Sequence, residues 1–149
     1  MIMINKIFYT IVLTTLMTFI YTFEVKAQCG DELTDVCHAK LGNARFIRSF
    51  PVQHTERSAG SPRVYKFEVI LNRGTTYRIF SCNDKTKPGK VIISLYRGEQ
   101  LIATTYDINT ERHFPHIEYP VGMSGRYHLH FYFEEDKEGC AVGMLSIVN

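Results

Sequence analysis

The sequence lacks the short motifs that mark the common catalytic sites. Its 149 residues contain no His-Glu-x-x-His zinc motif and no phosphate-binding loop. Residues 122–125 read Gly-Met-Ser-Gly, which is not the Gly-x-Ser-x-Gly spacing of a serine nucleophile. Scattered acidic residues could still form a glycosidase pair, because that pair is defined by its separation in space. The missing motifs therefore favour a protein that is not an enzyme.

A strong charge of one sign is also missing. The chain has 17 basic and 15 acidic residues, and the two kinds are interspersed as on an ordinary solvated surface. Without the first 27 residues, which contain Lys6, Glu24 and Lys26, 15 basic and 14 acidic residues remain. Such a balance creates no field that attracts nucleic acid or an anionic membrane, so neither is an expected partner.

The first 27 residues have the layout of a secretory signal peptide. Lys6 precedes an apolar stretch over 7–20, and Val25 and Ala27 occupy the −3 and −1 positions of a cleavage site after Ala27. A retained membrane helix is the alternative, but a span needs about 20 apolar residues and threonines interrupt this stretch. We expect a secreted or periplasmic protein of 122 residues with no membrane insertion after cleavage.

The cysteines include no Cys-x-x-Cys pair, which argues against a redox motif and a zinc knuckle. Cys29, Cys37, Cys82 and Cys140 all follow the predicted cleavage site, and an even number in an exported chain predicts disulfides. Three connectivities exist, and we favour Cys82–Cys140 because both residues lie at predicted strand ends. Pairing of Cys29 with Cys37 requires the chain to fold back before the predicted helix. Lipid anchoring at Cys29 is not expected, because Gln28 precedes it instead of a small residue.

One helix followed by strands is the predicted organisation. Residues 31–41 place apolar side chains at helical spacing, so we assign 28–43 to an N-terminal helical segment. Strand patterns then recur about every ten residues, at 46–52, 64–71, 75–82, 91–96, 100–106, 116–121, 125–133 and 141–148. Pro51 indicates an edge strand, and the segment 91–96, apolar on both faces, indicates a central one. Residues 44–149 are therefore predicted to form an all-β domain, a jelly-roll-like antiparallel β-sandwich of about eight strands.

Three stretches resemble the motifs of a known family. They are RGTTYRI at 73–79, VIISLYRGEQLIAT at 91–104 and IEYPVGMSGRYHLHFYF at 117–133. They follow the order G-T-x-Y, L-Y-x-x-x-x-L, G-x-Y-x-L-x-F, which resembles the bacterial prepeptidase C-terminal domain and its jelly-roll relatives. The chain looks closer still to small uncharacterised exported bacterial proteins that have a helix before the sandwich and a GCAVG ending, as at 139–143. The resemblance covers 64–148 and implies an accessory module for binding or secretion, with no catalytic residues to transfer.

The segment GRYHLHFYF, 125–133, divides into two faces, because residues two apart on a strand point to the same side. The apolar face is expected in the core and consists of Tyr127, Leu129, Phe131 and Phe133. The opposite face is a candidate binding patch and consists of Arg126, His128, His130 and Tyr132. Tyrosine and histidine combine an apolar body with a polar tip, which suits contact with a protein or a glycan. Further candidates for this surface, unless they fill the core, are Tyr96, Tyr106 and Tyr119.

The same strand offers a candidate metal site. A zinc ion needs three or four protein ligands, and the candidates are His128, His130, His113 and His116. Nothing in the sequence brings the second pair of histidines beside the first. A polar outer face without metal is therefore the favoured interpretation.

A calcium site is a second alternative, and it depends on the Cys82–Cys140 bond. That bond would bring the loops at 83–90 and 134–139 together and gather the oxygen ligands of Asn83, Asp84, Asp136 and Glu138. Three lysines in the same loops would repel a cation, and they are Lys85, Lys87 and Lys137. No cofactor is expected, with zinc and calcium as the alternatives.

The sequence as a whole favours an exported, non-catalytic module that binds a protein or a glycan of the cell envelope. One alternative is a hydrolase, metal-dependent or otherwise, that uses the face with His128 and His130. Another alternative is a structural component of the envelope.

Overall fold

The computed structural model describes residues 30–55 and 62–148. The predicted signal peptide, its cleavage site and Cys29 lie outside these residues. The described chain begins with a helix, α1 (Asp31–Ala39). Ten strands follow: β1 (Arg45–His54), β2 (Tyr65–Leu71), β3 (Thr76–Asn83), β4 (Val91–Arg97), β5 (Gln100–Thr104), β6 (Tyr106–Asp107), β7 (Arg112–His113), β8 (His116–Pro120), β9 (Gly125–Phe133) and β10 (Gly139–Val148).

Two antiparallel four-stranded sheets form a sandwich, with strand orders β1-β10-β3-β8 and β2-β9-β4-β5. The short strands β6 and β7 pair separately as a hairpin. Numbered without that hairpin, the eight long strands are ordered 1-8-3-6 and 2-7-4-5, which is the order of a jelly roll. The prediction of an all-β sandwich is confirmed. β1, with Pro51, lies at a sheet edge and β4 lies inside its sheet, as their sequences indicated.

The core lies between the two sheets and follows the alternation of the strands. The inward face of β9 is at most 2% exposed and consists of Tyr127, Leu129, Phe131 and Phe133. From the other sheet, Phe50 approaches the ring of Phe131 at 5.8 Å, and Gly143 of β10 also faces that ring. The apolar face predicted for 125–133 is therefore in the core.

Helix α1 covers the outer face of the first sheet. Cys37 and Leu41 pack there against outward side chains of β3 and β10, namely Phe80, Cys82, Val142 and Met144. A disulfide joins Cys37 to Cys82 with 5.8 Å between their Cα atoms. This small second core and its covalent bond hold the helix on the sheet. None of the helices in the described part of the chain has the length and apolarity that a membrane crossing requires.

The predicted Cys82–Cys140 bond is wrong, because Cys82 bonds to Cys37. Cys82 lies opposite Val142 in the register of β3 and β10, so Cys140 is its diagonal neighbour. Diagonal Cα atoms are about 7–8 Å apart, beyond the usual span of a disulfide. The helix instead places Cys37 directly above Cys82. Cys140 is also in a disulfide.

Candidate functional site

The outer face of the second sheet is where the candidate site lies. On β4 the residues that alternate with the core positions are Ile92, Ser94 and Tyr96. Their neighbours on β9 are, in the same order, Tyr132, His130 and His128. This face therefore presents rings and small polar groups across the two central strands, whereas α1 covers the outer face of the first sheet.

A groove of about 870 Å³ runs over this face. Its size is within the range of about 300–1,000 Å³ that is usual for ligand sites. Five aromatic residues line it: Tyr96, Tyr106, Phe114, Tyr132 and Phe133. Four carboxylates line it as well: Asp107, Glu134, Glu135 and Asp136. Rings and anionic groups thus share one concave surface.

The β6–β7 hairpin forms one wall of the groove. The ring centroids of Tyr106 and His113 are 4.8 Å apart across the hairpin. The carboxylate of Asp107 accepts hydrogen bonds from the backbone N–H of Asn109 and the hydroxyl of Thr110, both at 2.9 Å. These bonds lower the pKa of Asp107, and the bond from Asn109 has the largest effect. The segment 107–115, between the strands predicted at 100–106 and 116–121, thus shapes the site.

The second wall is a short 3-10 segment, the acidic turn (Glu134–Asp136). Glu135 and Asp136 both have φ of 53°, a left-handed conformation that is uncommon outside glycine. Nε2 of His113 lies 3.3 Å from Oε2 of Glu134, which joins the hairpin to the acidic turn. Burial, followed by the negative charge of Glu134, raises the pKa of Tyr106, so its hydroxyl stays protonated at neutral pH.

His54 is a buried residue behind the acidic turn, and the sequence analysis did not single it out. It continues the inward alternation of Phe50 and Val52 on β1, which is the signal that could have identified it, and it is 2% exposed. Nε2 of His54 lies 3.1 Å from the carbonyl oxygen of Asp136 and 3.0 Å from its Oδ1. Its ring stacks on Phe133 with centroids 5.7 Å apart. A buried side chain thus supports the wall of the groove.

The ring nitrogens of His54 contact two other segments of the chain. The two Asp136 oxygens that face Nε2 are acceptors, so Nε2 donates. The hydroxyl of Tyr65 gives its one proton to the carbonyl of Gln53 at 2.6 Å. The oxygen of that hydroxyl also lies 3.3 Å from Nδ1 of His54. His54 thus links Asp136 of the acidic turn to Tyr65 of β2.

The predicted binding patch lies on the expected face, but its members are in different surroundings. Tyr132 lines the groove, and His130 lies against the ring of Tyr96 with centroids 4.4 Å apart. Arg126 and His128 lie farther along β9, where both approach Glu68 of β2, at 3.7 and 3.8 Å. Of the other predicted tyrosines, Tyr96 and Tyr106 line the groove and Tyr119 packs against the core.

The four histidines of the predicted zinc site are not brought together. His116 lies on β8 of the first sheet, 3.7 Å from Glu118, and His113 pairs with Glu134. His128 and His130 share one face of β9 but contact Glu68 and Tyr96 respectively. Over residues 30–55 and 62–148, no group of three or more His, Cys, Asp or Glu is placed to hold a metal ion.

The oxygen ligands of the predicted calcium site are engaged separately. Asn83 accepts a hydrogen bond from the backbone of Val91, and Asp84 accepts two from Thr86. Glu138 forms an ion pair with Lys87, and the carboxylate of Asp136 faces His54. The four side chains do not converge on one point.

A scan against models of known protein families and a search of curated proteins both found no match to this chain. The geometry of the groove and its surroundings is therefore the basis for inferring a function.

Proposed function

We propose that the protein is a non-catalytic binding module that acts outside the cytoplasm and binds a protein or a glycan of the cell envelope in the groove. The observation that supports this most directly is the difference between the two outer faces. Helix α1 covers one of them. The other is open and forms a groove lined by tyrosines and carboxylates.

The side chains of the groove suit recognition of a ligand. Tyr96, Tyr106 and Tyr132 offer apolar ring faces together with hydroxyl groups that form hydrogen bonds, a combination common at binding interfaces. The histidines of the face are already engaged, His128 with Glu68 and His130 with Tyr96. The rings and hydroxyl groups of the three tyrosines are therefore the groups that we propose contact the ligand.

The disulfides support a location in an oxidising compartment. The Cys37–Cys82 bond closes 45 residues, and Cys140 is also bonded. Such bonds persist in exported proteins and are rare in the cytosol. The predicted signal peptide agrees with export, and the resemblance of 64–148 to prepeptidase C-terminal domains agrees with an accessory role.

A capture experiment tests the proposal. The wild-type chain, the groove variant Tyr96→Ala/Tyr132→Ala and the control Phe46→Ala are each immobilised and exposed to envelope extract. Phe46 is a suitable control because it is an exposed ring on β1 of the first sheet. We expect wild type and control to retain the same protein or glycan and the groove variant to lose it.

The bound metal content of the eluted protein is measured in the same experiment. Retention of one ligand by all three chains would place the binding surface elsewhere and overturn the proposal. Stoichiometric zinc together with no captured ligand would favour the alternative of a metal-dependent hydrolase.

A further inference from the structure

We propose that the occupant of the groove is a basic peptide segment of a partner protein, with a Lys or Arg side chain between the rings and the acidic turn. This inference rests on the proposed binding function and narrows its ligand from protein or glycan to protein.

The charged side chains in the lining of the groove are all acidic. Among the described residues that line it, four are carboxylates and none is Lys, Arg or His. The carboxylate of Asp107 accepts hydrogen bonds from two neutral donors, the N–H of Asn109 and the hydroxyl of Thr110. These two bonds do not cancel its negative charge. The other three carboxylates each have a basic side chain nearby: Lys137 contacts Glu135, Nε2 of His113 lies 3.3 Å from Glu134, and Nε2 of His54 lies 3.0 Å from Asp136. Arg112 lies over the ring of Phe114. A cationic ligand complements this surface and an anionic one does not.

The rings add a second reason for a cationic ligand. An ammonium or guanidinium group is attracted to the face of an aromatic ring within about 6 Å of the centroid. Tyr96 and Tyr132 line the floor of the groove, and Tyr106 lines its wall beside Asp107. A Lys or Arg side chain that enters here contacts ring faces along its stem and carboxylates at its tip.

The rim favours a peptide over a sugar. Three apolar side chains of the lining are well exposed: Ile108 at 79%, Leu101 at 48% and Phe114 at 39%. Two of them, Ile108 and Leu101, are aliphatic, with neither a ring face for stacking nor a polar group for sugar hydroxyls. They do suit the apolar side chain of a residue next to the cation, because burying apolar area stabilises a protein contact.

The test measures the fluorescence anisotropy of dye-labelled probes with the full chain after signal removal. The probes are a ten-residue peptide alternating Lys and Leu, the same peptide with Glu for Lys, and a glucosamine oligosaccharide. The protein variants are Asp107→Asn, Glu135→Gln and the control Glu99→Gln, a carboxylate in the turn between β4 and β5 that is outside the groove. Two groove variants are used so that a folding defect in one does not decide the outcome.

We expect the Lys–Leu peptide to bind and the Glu–Leu peptide not to bind. Each groove variant should weaken binding about threefold to fivefold, the usual effect of one partly screened charge, and Glu99→Gln should not. Added salt should weaken binding further. If Glu99→Gln weakened binding of the Lys–Leu peptide as much as the groove variants did, the effect would come from overall charge. That result would overturn the inference.

Two outcomes separate this inference from the proposed function. In the first outcome, the glucosamine oligosaccharide binds in the groove as tightly as the Lys–Leu peptide. In the second, wild type captures a neutral glycan or an acidic protein from envelope extract and Tyr96→Ala/Tyr132→Ala does not. Either outcome would show that the groove binds a ligand of another class. The inference then fails while the proposed function stands. If no probe binds and envelope extract yields no groove-dependent ligand, both fail.

Discussion

Nε2 of His54 lies 3.0 Å from Oδ1 of Asp136, and this contact fixes the acidic turn to the buried end of β1. The side chain of His54 is 1% exposed and that of Asp136 is 27% exposed, so the pair spans the boundary between core and groove. Asp136 also has a left-handed φ, a conformation that aspartate adopts more readily than most residues. The contact with His54 helps to keep the turn in place.

Removing the charge of Asp136 is expected to destabilise the protein. Asp136→Asn keeps the size of the side chain and one oxygen acceptor but removes the charged carboxylate that lies 3.0 Å from Nε2 of the buried His54. The free energy of unfolding at pH 7, from urea titration, should fall by about 2 kcal/mol, which is typical for a hydrogen bond to a charged group. Glu135→Gln is the matched control, because Glu135 is in the same turn with a 67% exposed side chain. Equal stability of the two variants would contradict a stabilising contact between His54 and Asp136.

The disulfide between Cys37 and Cys82 is expected to stabilise the fold by constraining the unfolded chain. For a separation of 45 residues, the loop-entropy model gives about 4 kcal/mol. The variant Cys37→Ala/Cys82→Ala should lose up to this amount in urea unfolding, and hydrogen exchange in α1 should become faster. Peptide mapping of the unreduced wild type should recover Cys37 linked to Cys82. A peptide that links Cys82 to Cys140 would refute this pairing.

The long strands were predictable because their signal is local. Alternation of apolar residues predicted a strand at 125–133, and β9 has those bounds. The same reasoning identified β1 as an edge strand and β4 as a central one. Each of these features depends on residues within one segment, which is the range over which a sequence pattern can be read.

The candidate site was predictable only in part, because it depends on contacts between distant segments. The disulfide of Cys82 is set by where α1 packs on the sheet, which the strand pattern does not encode. The β6–β7 hairpin has only two residues in each strand, too few for alternation to show. The contact of His113 with Glu134 and that of His54 with Asp136 join residues 21 and 82 positions apart.

The absence of a side chain at Gly143 is expected to be essential for the core. A Cβ at this position would overlap the ring of Phe131 from the opposite sheet. Gly143→Ala should therefore lower the free energy of unfolding by about 1–3 kcal/mol, the usual cost of overpacking. Gly122→Ala is the control, because no atom lies within 4 Å of the position of its added Cβ. A Gly143→Ala variant as stable as the control would contradict the close approach of β9 and β10.

The stability of the protein is expected to depend on pH through His130. Burial, followed by the positive charges of Lys66 and His128, lowers the pKa of His130 from its ordinary value of 6.5. Below pH 6.5 the unfolded chain therefore takes up this proton more readily than the folded one, and the free energy of unfolding falls as the pH falls toward the folded pKa. Above pH 6.5 this loss is absent.

His130→Gln should remove that acid-side loss, so the variant should lose less stability than wild type between pH 7.5 and pH 5.5 in urea unfolding. An NMR titration of the His130 ring should give a midpoint below 6.5 in the wild type. Lys66→Gln should raise that midpoint, because it removes one of the two positive charges that disfavour the protonated ring. A wild-type midpoint at or above 6.5 would show that burial and the two cations do not dominate the surroundings of this histidine.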